Sequence, residues 1–330
     1  MATIKDVAKL AKVSHSTVSR YLNDTLKVAT ATQERIEKAI VDLDYVKNYN
    51  AMAMKNASSN TIAIVLPTMT DVIFSELAKQ IYLKVNEKGY ESMFFYTFDS
   101  LDHEKEITKF VRSIRAKACV MVVEPRGDKS VVHIENLVKN GTKVVLVNRF
   151  VNVKGAKSVN WQLEKGARLA VEYYLDNKYD KVGLVLGWPE QAKTKVIVRE
   201  MKKLYKERGM IFDESLVQYS FYTEQYIDEI IDHYVSIGVK AIFVNSDMAA
   251  IRLVESIKKK NISIPNEMAV ITAGNSIYCG LAGVSAVDLG IVELGMEAGK
   301  IVLAEIEELP KKRIKIQAPT LIHRDSTIKF

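Results

Sequence analysis

Residues 3–23 read TIKDVAKLAKVSHSTVSRYLN and contain two short amphipathic helical patterns that meet at a tight break. In the first, apolar residues recur at helical spacing, and Thr3 and Asp6 have the separation of a capping box. In the second, Ser14 is the expected N-cap, and Val18 points back toward the same small core. The stretch therefore predicts two helices joined by a very short turn.

A third helical pattern follows, with Thr30 as the expected N-cap and Gln33 at the capping-box position. Its apolar stripe continues the same core through Ile36, Ala39, Ile40 and Leu43. Three helices near the N-terminus, the first two joined by a tight turn, are the helix-turn-helix pattern.

The outward face of the second helix carries residues suited to DNA. Ser16 and Arg20 lie one turn apart, with His15 at the start of the helix. An arginine there can donate two hydrogen bonds to guanine in the major groove. Short donors suited to phosphate oxygens accompany them: Ser14, Ser19 and Asn23. The alternative interpretation is a solvated polar helix face.

The composition of the 330 residues, 48% hydrophobic and 26% charged, is that of a soluble globular protein of two to three domains. The formal net charge of +7 favours a polyanionic partner. Residues 1–30 hold five Lys or Arg against two Asp. This concentration of positive charge in the head favours nucleic acid as the partner.

The chain shows no sign of export, membrane insertion or cofactor binding. Cys119 and Cys279 are far apart and match no metal or redox spacing, so we interpret them as buried thiols in a reducing cytosol. The start, MATIKDVAK, has no apolar segment of a signal peptide. No apolar run approaches the roughly 20 residues that span a bilayer. We expect a cytoplasmic protein without a metal or cofactor.

From Thr61 onward, short apolar runs alternate with amphipathic helices. TIAIVLP and KVVLVN are examples from the first half, and KVGLVLG and MAVITA repeat the scheme in the second. Such runs predict parallel strands covered by helices on both faces. The expected fold is an α + α/β chain with a three-helix head and two doubly wound lobes. Two such lobes enclose a cleft at the carboxyl ends of their strands.

Residues 3–23 resemble the N-terminal signature of the LacI/GalR family of bacterial transcriptional repressors, T-I-x-D-V-A-x-x-A-x-V-S-x-x-T-V-S-R-x-L-N. A looser likeness extends to the C-terminus. The resemblance implies that His15, Ser16 and Arg20 read bases of a near-palindromic operator bound by a homodimer. The other expected DNA contacts in the head are Thr3, Ser14, Thr17, Ser19 and Asn23.

Residues 47–59, KNYNAMAMKNASS, resemble the hinge of that family, a short helix that inserts an apolar side chain into the minor groove. The resemblance implies DNA contacts from Asn48, which the family keeps, and from Met54, which stands at the position of the inserted leucine. Lys47 replaces the family's proline, and Met52 replaces its arginine. The alternative is an ordinary interdomain linker.

The two-lobed part resembles the periplasmic sugar-binding-protein fold that senses the effector in this family. The resemblance implies a helix-turn-helix domain at 1–46, a hinge at 47–60 and a sensing and dimerisation domain at 61–330. Because the chain crosses between the lobes three times in the family, we expect an N-lobe of about 61–159 plus 288–318. The C-lobe is then about 160–287 plus 319–330.

The same resemblance implies an effector site in the cleft. The expected residues are Thr70, Asp71, Ile73, Phe74, Asn148, Arg149, Trp161, Lys195, Phe221, Asp247 and Asn275. Gly274 and Asn275 depart most from the family's pattern, because the family commonly has an acid that binds a sugar hydroxyl at the position of Gly274. The ligand is therefore not expected to be a simple hexose held in the common way. Trp161 and Trp188 are each either a stacking platform or a core or rim residue.

These features predict a repressor of a carbohydrate-utilisation operon, controlled by a small polar effector that is a sugar or sugar derivative. One alternative is a regulator whose cleft domain responds to a protein partner. Another is a sugar-binding protein without a DNA function, which would need an export signal and no basic head. An enzyme is disfavoured because neither a nucleophile elbow, a P-loop, GxGxxG nor HExxH occurs.

Overall fold

The computed structural model describes residues 2–22, 28–45, 59–123, 130–219, 224–310, 314 and 316–327. The chain divides into two units, Met1–Ser59 and Asn60–Phe330. The first is helical, and the second is built from mainly parallel sheets and helices.

The first unit contains the three expected helices, α1 (Ile4–Ala11), α2 (His15–Leu22) and α3 (Thr30–Asp42). One small core holds them together, formed by the buried side chains of Val7, Ala8, Ala11, Val18, Ile36 and Ala39. These positions are the inward members of the helical patterns seen in the sequence. Burial of such a shared stripe is what stabilises helices this short.

Two of the predicted helix caps are confirmed. The Asp6 carboxylate accepts hydrogen bonds from the backbone N–H and the hydroxyl of Thr3, at 2.8 and 2.7 Å, which closes the capping box of α1. The Ser14 hydroxyl accepts a hydrogen bond from the backbone N–H of Thr17 at 3.0 Å and caps α2. The bonds to the Thr3 and Thr17 N–H groups satisfy backbone donors that have no partner within their helix.

The predicted cap of α3 is wrong. The helix begins at Thr30, and its N-cap is Ala29 without a side-chain hydrogen bond. The Gln33 amide donates to the Glu37 carboxylate one turn further on, at 2.8 Å, because that oxygen lies on the same helix face. A partner within the helix therefore replaces the capping box.

The second unit begins with a five-stranded sheet whose order is β2-β1-β3-β4-β5, with all strand pairs parallel. Its strands and helices alternate along the chain: β1 (Thr61–Leu66), α4 (Val72–Asn86), β2 (Glu91–Tyr96), α5 (Leu101–Ser113), β3 (Ala118–Val122), α6 (Val132–Lys139), β4 (Lys143–Val147) and β5 (Lys157–Val159). β3 is buried along its whole length, as expected for a strand covered on both faces.

The second sheet has six strands in the order β11-β10-β9-β8-β6-β7, and only the β10–β11 pair is antiparallel. Its elements begin with α7 (Leu163–Asp176), β6 (Val182–Leu186), α8 (Ala192–Glu207), a 3₁₀ turn (Glu214–Leu216), β7 (Val217–Tyr219) and α9 (Glu224–Ser236). They continue with β8 (Ala241–Val244), α10 (Asp247–Lys259), β9 (Ala269–Gly274), α11 (Ile277–Leu281), β10 (Ser285–Asp288), α12 (Ile291–Ile306) and β11 (Thr320–Ile322). The expected fold class is confirmed.

Helix α12 follows a strand of the second sheet but packs against α4 and the first sheet. Two glycines allow this close approach. A Cβ at Gly295 would lie 2.9 Å from the Leu77 carbonyl oxygen, and one at Gly299 would lie 2.6 Å from Lys84 Cβ. The chain thus passes between the sheets after β5, after β10 and before β11.

Candidate functional site

The exposed face of α2 is the first candidate site. His15, Ser16 and Arg20 are exposed, whereas Val18 is fully buried in the core of the head. Ser16 and Arg20 are four residues apart and lie on one side of the helix. In addition, the Tyr21 hydroxyl donates to the Glu37 carboxylate at 2.6 Å, which fixes α2 on α3. The face is polar, accessible and rigidly held, as major-groove readout requires.

The expected phosphate contacts of the head include residues that also cap helices. The Ser14 hydroxyl lies 2.8 Å from that of Ser16 and 2.7 Å from that of Thr17, and Thr3 caps α1. Ser19 is half-buried. Helix N-termini with such hydroxyls are favourable places for a phosphate, because their N–H groups point outward.

Four expected site residues lie outside the described residues. They are Asn23 in the head, Asn48 and Met54 in the predicted hinge, and Phe221 in the second lobe. Their assignments remain predictions from the sequence.

The second candidate site is a cavity of about 420 Å³ at the carboxyl edges of the two sheets. This volume lies within the range of about 300–1,000 Å³ that is usual for small-molecule sites. Six of the expected effector residues line it: Thr70, Asp71, Ile73, Phe74, Asn148 and Trp161. The parallel strands bring these residues together from three separate stretches of the sequence.

Asp71 forms part of the cavity wall and also caps helix α4. Its carboxylate accepts a hydrogen bond from the backbone N–H of Ile73 at 3.0 Å. Burial raises the pKa of Asp71, and the nearby carboxylate of Asp247 raises it further, against the lowering effects of the Ile73 N–H and of Lys193. The wall thus contains a partly desolvated acid that benefits from any hydrogen-bond donor a ligand offers.

Arg149 was expected in the effector site, but the structure places its guanidinium elsewhere. Both terminal nitrogens donate to the Glu104 carboxylate of α5, at 2.8 and 2.9 Å, and His133 Nε2 lies 2.6 Å from the same carboxylate. Arg149 is only 3% exposed and is absent from the cavity wall. A buried carboxylate that the sequence pattern did not indicate therefore holds this arginine inside the first lobe.

Asp247 and Asn275 do not line the cavity. The Asp247 carboxylate accepts from the Ser276 N–H at 2.6 Å and from the Thr272 hydroxyl at 3.3 Å. The Asn275 amide accepts from Arg324 at 2.6 Å and donates to Asp288 at 3.1 Å. Both side chains are engaged in the connections around β9 and β10.

The sequence predicts Lys195 as the cation of the second lobe, but in the structure a different lysine of α8 takes that place. Lys195 is exposed on α8 and does not line the cavity, whereas Lys193 does. Alignment to the family by spacing alone missed this difference, because two residues on a helix change the direction of a side chain by about 200°. Arg252, on α10, supplies a second cation to the wall.

Several wall residues were absent from the expected set. Besides Lys193 and Arg252, they include Asp99, Trp188, Gln191, Asn245, Ser246 and Met248. Asn245 and Ser246 directly follow strand β8, so their position at a strand end was a usable signal. Asp99 comes three residues after the end of β2.

Gly274, where the family commonly has an acid, is required by its surroundings. Its φ is +140°, and a Cβ would meet Asp247 Oδ1 and would lie 2.7 Å from Ile73 Cδ1. We expect Gly274→Ala to lower the free energy of unfolding by about 1–3 kcal/mol, through backbone strain and crowding. Urea unfolding of the full chain measures this loss.

Gly280→Ala is the matched control for Gly274→Ala. Nothing lies within 4 Å of a Cβ at Gly280, which is within α11. Equal stability of the Gly274→Ala variant and the wild type would contradict the steric account.

The described cavity wall carries two acids, Asp71 and Asp99, and two bases, Lys193 and Arg252. No group of three or more His, Cys, Asp or Glu side chains among the described residues is arranged to hold a metal ion. Within the same residues, no helix combines the length and the apolar character needed to cross a membrane.

Comparison with known proteins identifies both parts of the chain. The model of bacterial regulatory proteins of the lacI family matches residues 3–48. The model of the periplasmic binding protein-like domain matches residues 171–327. These matches cover the helical head and the part of the second unit that holds most of the second sheet.

Individual proteins show the same arrangement over the full length. The NTD biosynthesis operon regulator NtdR of Bacillus subtilis (strain 168) is 26% identical over 341 positions, which cover 99% of this chain and 100% of the relative. The lac repressor dimer bound to operator and the anti-inducer ONPF has a TM-score of 0.85 at 17% identity, with 99% of each chain covered.

A third protein, the transcriptional regulator CelR in complex with cellobiose, has a TM-score of 0.70 at 18% identity and covers 99% of this chain and 100% of its own. The two structural likenesses establish the fold. The chain joins a DNA-binding head of the lacI family of bacterial regulatory proteins to a periplasmic binding protein-like domain, and it is a transcriptional regulator, not an enzyme.

Proposed function

We propose that this regulator is a cytoplasmic repressor of a carbohydrate-utilisation operon and that a neutral sugar or sugar derivative in the cavity controls it. The observation that carries the proposal is the composition of the cavity wall, where two carboxylates and two cations balance each other. The domain boundaries of the proposal are 1–46 for the DNA-binding head, 47–60 for the hinge and 61–330 for the sensing domain.

The balanced wall favours a ligand with hydroxyl groups and no net charge. Each hydroxyl donates one hydrogen bond and accepts others. It can therefore donate to the carboxylate of Asp71 and equally well accept from the ammonium group of Lys193. Trp161 and Trp188 add aromatic surface, on which the apolar faces of a sugar ring pack favourably. CelR, a relative by fold, is described with cellobiose, which is in keeping with this ligand class.

We further propose that a homodimer binds the operator through the two α2 faces, with His15, Ser16 and Arg20 as base-reading residues. The first lobe exposes apolar side chains that a second copy would cover. Phe94 is 42% exposed on the edge strand β2, and Leu83 of the adjacent α4 is 47% exposed. Exposed edge strands with apolar side chains are normally covered by a partner.

In this scheme the effector acts by binding one arrangement of the lobes more tightly than the other. A coupling of about 1–3 kcal/mol between effector and DNA is typical of such regulators in general. The DNA affinity then changes by the same factor as the effector affinity.

A thermal-shift screen of the full chain tests the effector class. The ligands are D-glucose, D-galactose, sucrose and cellobiose, with glucose 6-phosphate and adenosine as members of other classes. A ligand present at 100 times its Kd stabilises the native state by about 2.7 kcal/mol, which corresponds to a rise of about 5–10 °C in Tm. We expect that rise for at least one neutral sugar.

Stabilisation by glucose 6-phosphate or adenosine alone would contradict the neutral-sugar proposal. If no compound raises the Tm, control of the cleft by a protein partner becomes the better account. Sedimentation equilibrium of the same samples should give twice the 37.2 kDa mass of the chain.

A further inference from the structure

The outward face of helix α8 carries a stripe of positive charge. Four exposed cations follow one another at spacings of four, three and four residues: Lys195, Arg199, Lys202 and Lys206. Because an α-helix has 3.6 residues per turn, these spacings place the four side chains within about 60° of one another around the helix axis. With a rise of about 1.5 Å per residue, the stripe is about 16 Å long. The helix therefore presents one continuous row of four positive charges.

The acidic residues of the same helix do not neutralise this stripe. Glu200 and Glu207 are directed toward α7, where both carboxylates accept hydrogen bonds from the Arg168 guanidinium, at 2.8 and 2.5 Å. Among the described residues, Lys202 is the one member of the stripe with an ion-pair partner, the Glu214 carboxylate at 2.5 Å. The other three cations are therefore available to an acidic group from outside the chain.

An exposed apolar side chain lies at the C-terminal end of the stripe. Ile211, in the connection that follows α8, is 93% exposed, more than any other large apolar side chain among the described residues. The next residue holds this connection against the helix. The Phe212 ring packs edge-on against Tyr205 with 5.3 Å between ring centroids, and Lys202 Nζ lies 6.0 Å from the Phe212 centroid. The cations and the isoleucine thus form one fixed surface that is positively charged and has an apolar end.

The helix that carries this surface also forms part of the cavity wall. Gln191, its N-cap, and Lys193, in its first turn, line the cavity. The buried side chains of Ile197, Met201 and Leu204 fix the opposite face of the helix in the core of the lobe. A protein bound to the outward face of α8 therefore holds the same helix that a ligand in the cavity contacts.

We propose that this surface of α8, the four cations together with Ile211, is a docking site for an acidic helical segment of a partner protein. Carboxylates at the same four-three-four spacing face the cations, and an apolar side chain beyond them covers Ile211. Such charge complementarity selects the partner and speeds its association. The isoleucine favours a protein over a nucleic acid, because a sugar-phosphate backbone is recognised through polar and charged contacts. The docking site does not depend on which effector the cavity binds.

The test measures binding of a fluorescein-labelled peptide to the full chain by fluorescence anisotropy. The matched peptide has about 18 residues, mostly alanine and glutamine so that it is helical in water, with glutamates at the four-three-four spacing and a leucine beyond the last of them. A scrambled peptide of the same composition distributes its glutamates around the helix. We expect tighter binding of the matched peptide, and its affinity should fall as salt rises from about 50 to about 200 mM because exposed charges are screened.

Arg199→Gln combined with Lys206→Gln removes two cations of the stripe and no ion pair of the described fold. We expect about three- to tenfold weaker binding of the matched peptide, because two exposed ion pairs with it are lost. Lys154→Gln combined with Lys240→Gln is the control, since both lysines are exposed, lie outside α8 and give the same net charge. Its affinity for the peptide should equal that of the wild type, and urea unfolding should show equal stability of all three proteins.

Ile211→Ser tests the apolar end of the surface. We expect about two- to fivefold weaker binding of the matched peptide, by the same factor at both salt concentrations, because salt does not screen an apolar contact. An unchanged affinity in this variant would contradict the docking site as proposed.

Equal weakening by the two double variants would mean that net charge alone attracts the peptide, and the docking site would be wrong. Equal binding of the matched and scrambled peptides, or no binding of either, would reject it as well. A random DNA duplex is the last probe. If the Arg199 and Lys206 variant weakens binding of the duplex but not of the matched peptide, the stripe contacts nucleic acid and the proposed partner is wrong. Weakening confined to the matched peptide and to the variants of this surface supports the docking site.

Discussion

Glu104→Gln is expected to lower the free energy of unfolding of the larger unit by about 3–5 kcal/mol. Glu104 is 1% exposed and accepts two hydrogen bonds from Arg149 and one contact from His133. Glutamine keeps the shape of the side chain but removes its charge, which leaves the buried guanidinium uncompensated. Urea unfolding at neutral pH, followed by circular dichroism, measures the loss.

The loss should depend on pH. Burial alone would raise the pKa of Glu104, but the hydrogen bonds from His133 and Arg149 outweigh it and hold the pKa below its ordinary value. A lowered pKa means that the stabilisation is complete above the unfolded pKa of about 4.3 and disappears as pH falls through the lower folded value. The difference between wild type and Glu104→Gln should therefore shrink in acid.

Glu106→Gln, on the same helix, is the control. The Glu106 side chain is 72% exposed, and its contact with Lys109 is 3.5 Å. Such a surface pair contributes little, so we expect a change within about 0.5 kcal/mol. A similar small change for Glu104→Gln would contradict the importance of the buried cluster.

Arg20→Ala is expected to reduce the affinity for the operator by about 1–3 kcal/mol and to relax the preference at one base pair. Arg20 is exposed on α2, one turn from Ser16, where a guanidinium can form two hydrogen bonds to guanine. The measurement uses a site selected from random DNA and all of its single-base variants. Salt concentration must be constant, because phosphate contacts make DNA affinity strongly dependent on it.

Arg35→Ala is the matched control for the head. Arg35 is exposed on α3, and its guanidinium contacts Ala31 and Thr32 of the same helix. We expect its loss to leave the ratio of specific to random DNA affinity unchanged. If Arg20→Ala also leaves that ratio unchanged, Arg20 is not a base-reading residue.

The head could be predicted from the sequence because its information is local. Thr3 with Asp6, and Ser14 with Thr17, form caps within one turn, and helical spacing alone indicates the core positions. The cap of α3 was the exception. There Gln33 had two partners within reach, and the sequence did not indicate which one it binds.

The sequence predicted the fold class of the lobes, but it did not predict all of their strands. Long apolar runs indicated the central strands, but the three-residue strands β5 and β11 have too few residues for a recognisable pattern. Their pairing depends on neighbours that are distant in sequence. The antiparallel pairing of β11 with β10, for example, joins Leu321 to Val287.

The cleft shows where prediction from sequence ends. Positions next to strand ends, such as Asp71, Asn148 and Trp161, line the cavity because parallel strands bring their carboxyl ends to one edge. Arg149 is also next to a strand end, but Glu104, 45 positions earlier, binds it inside the lobe. Lys195 and Lys193 share one helix, and only the packing of α8 decides which of them faces the cavity.

The sequence by itself determined the class of the protein: the helix-turn-helix head, its exposed Arg20, and two α/β lobes with a cleft between parallel sheets. Periodicity and short-range capping are sufficient for that. Only the tertiary structure decided which charged groups face the cavity and which are neutralised inside the lobe. Those outcomes depend on contacts between residues far apart in the chain, and the partner of a buried charge is chosen by distance and desolvation, not by its position in the sequence.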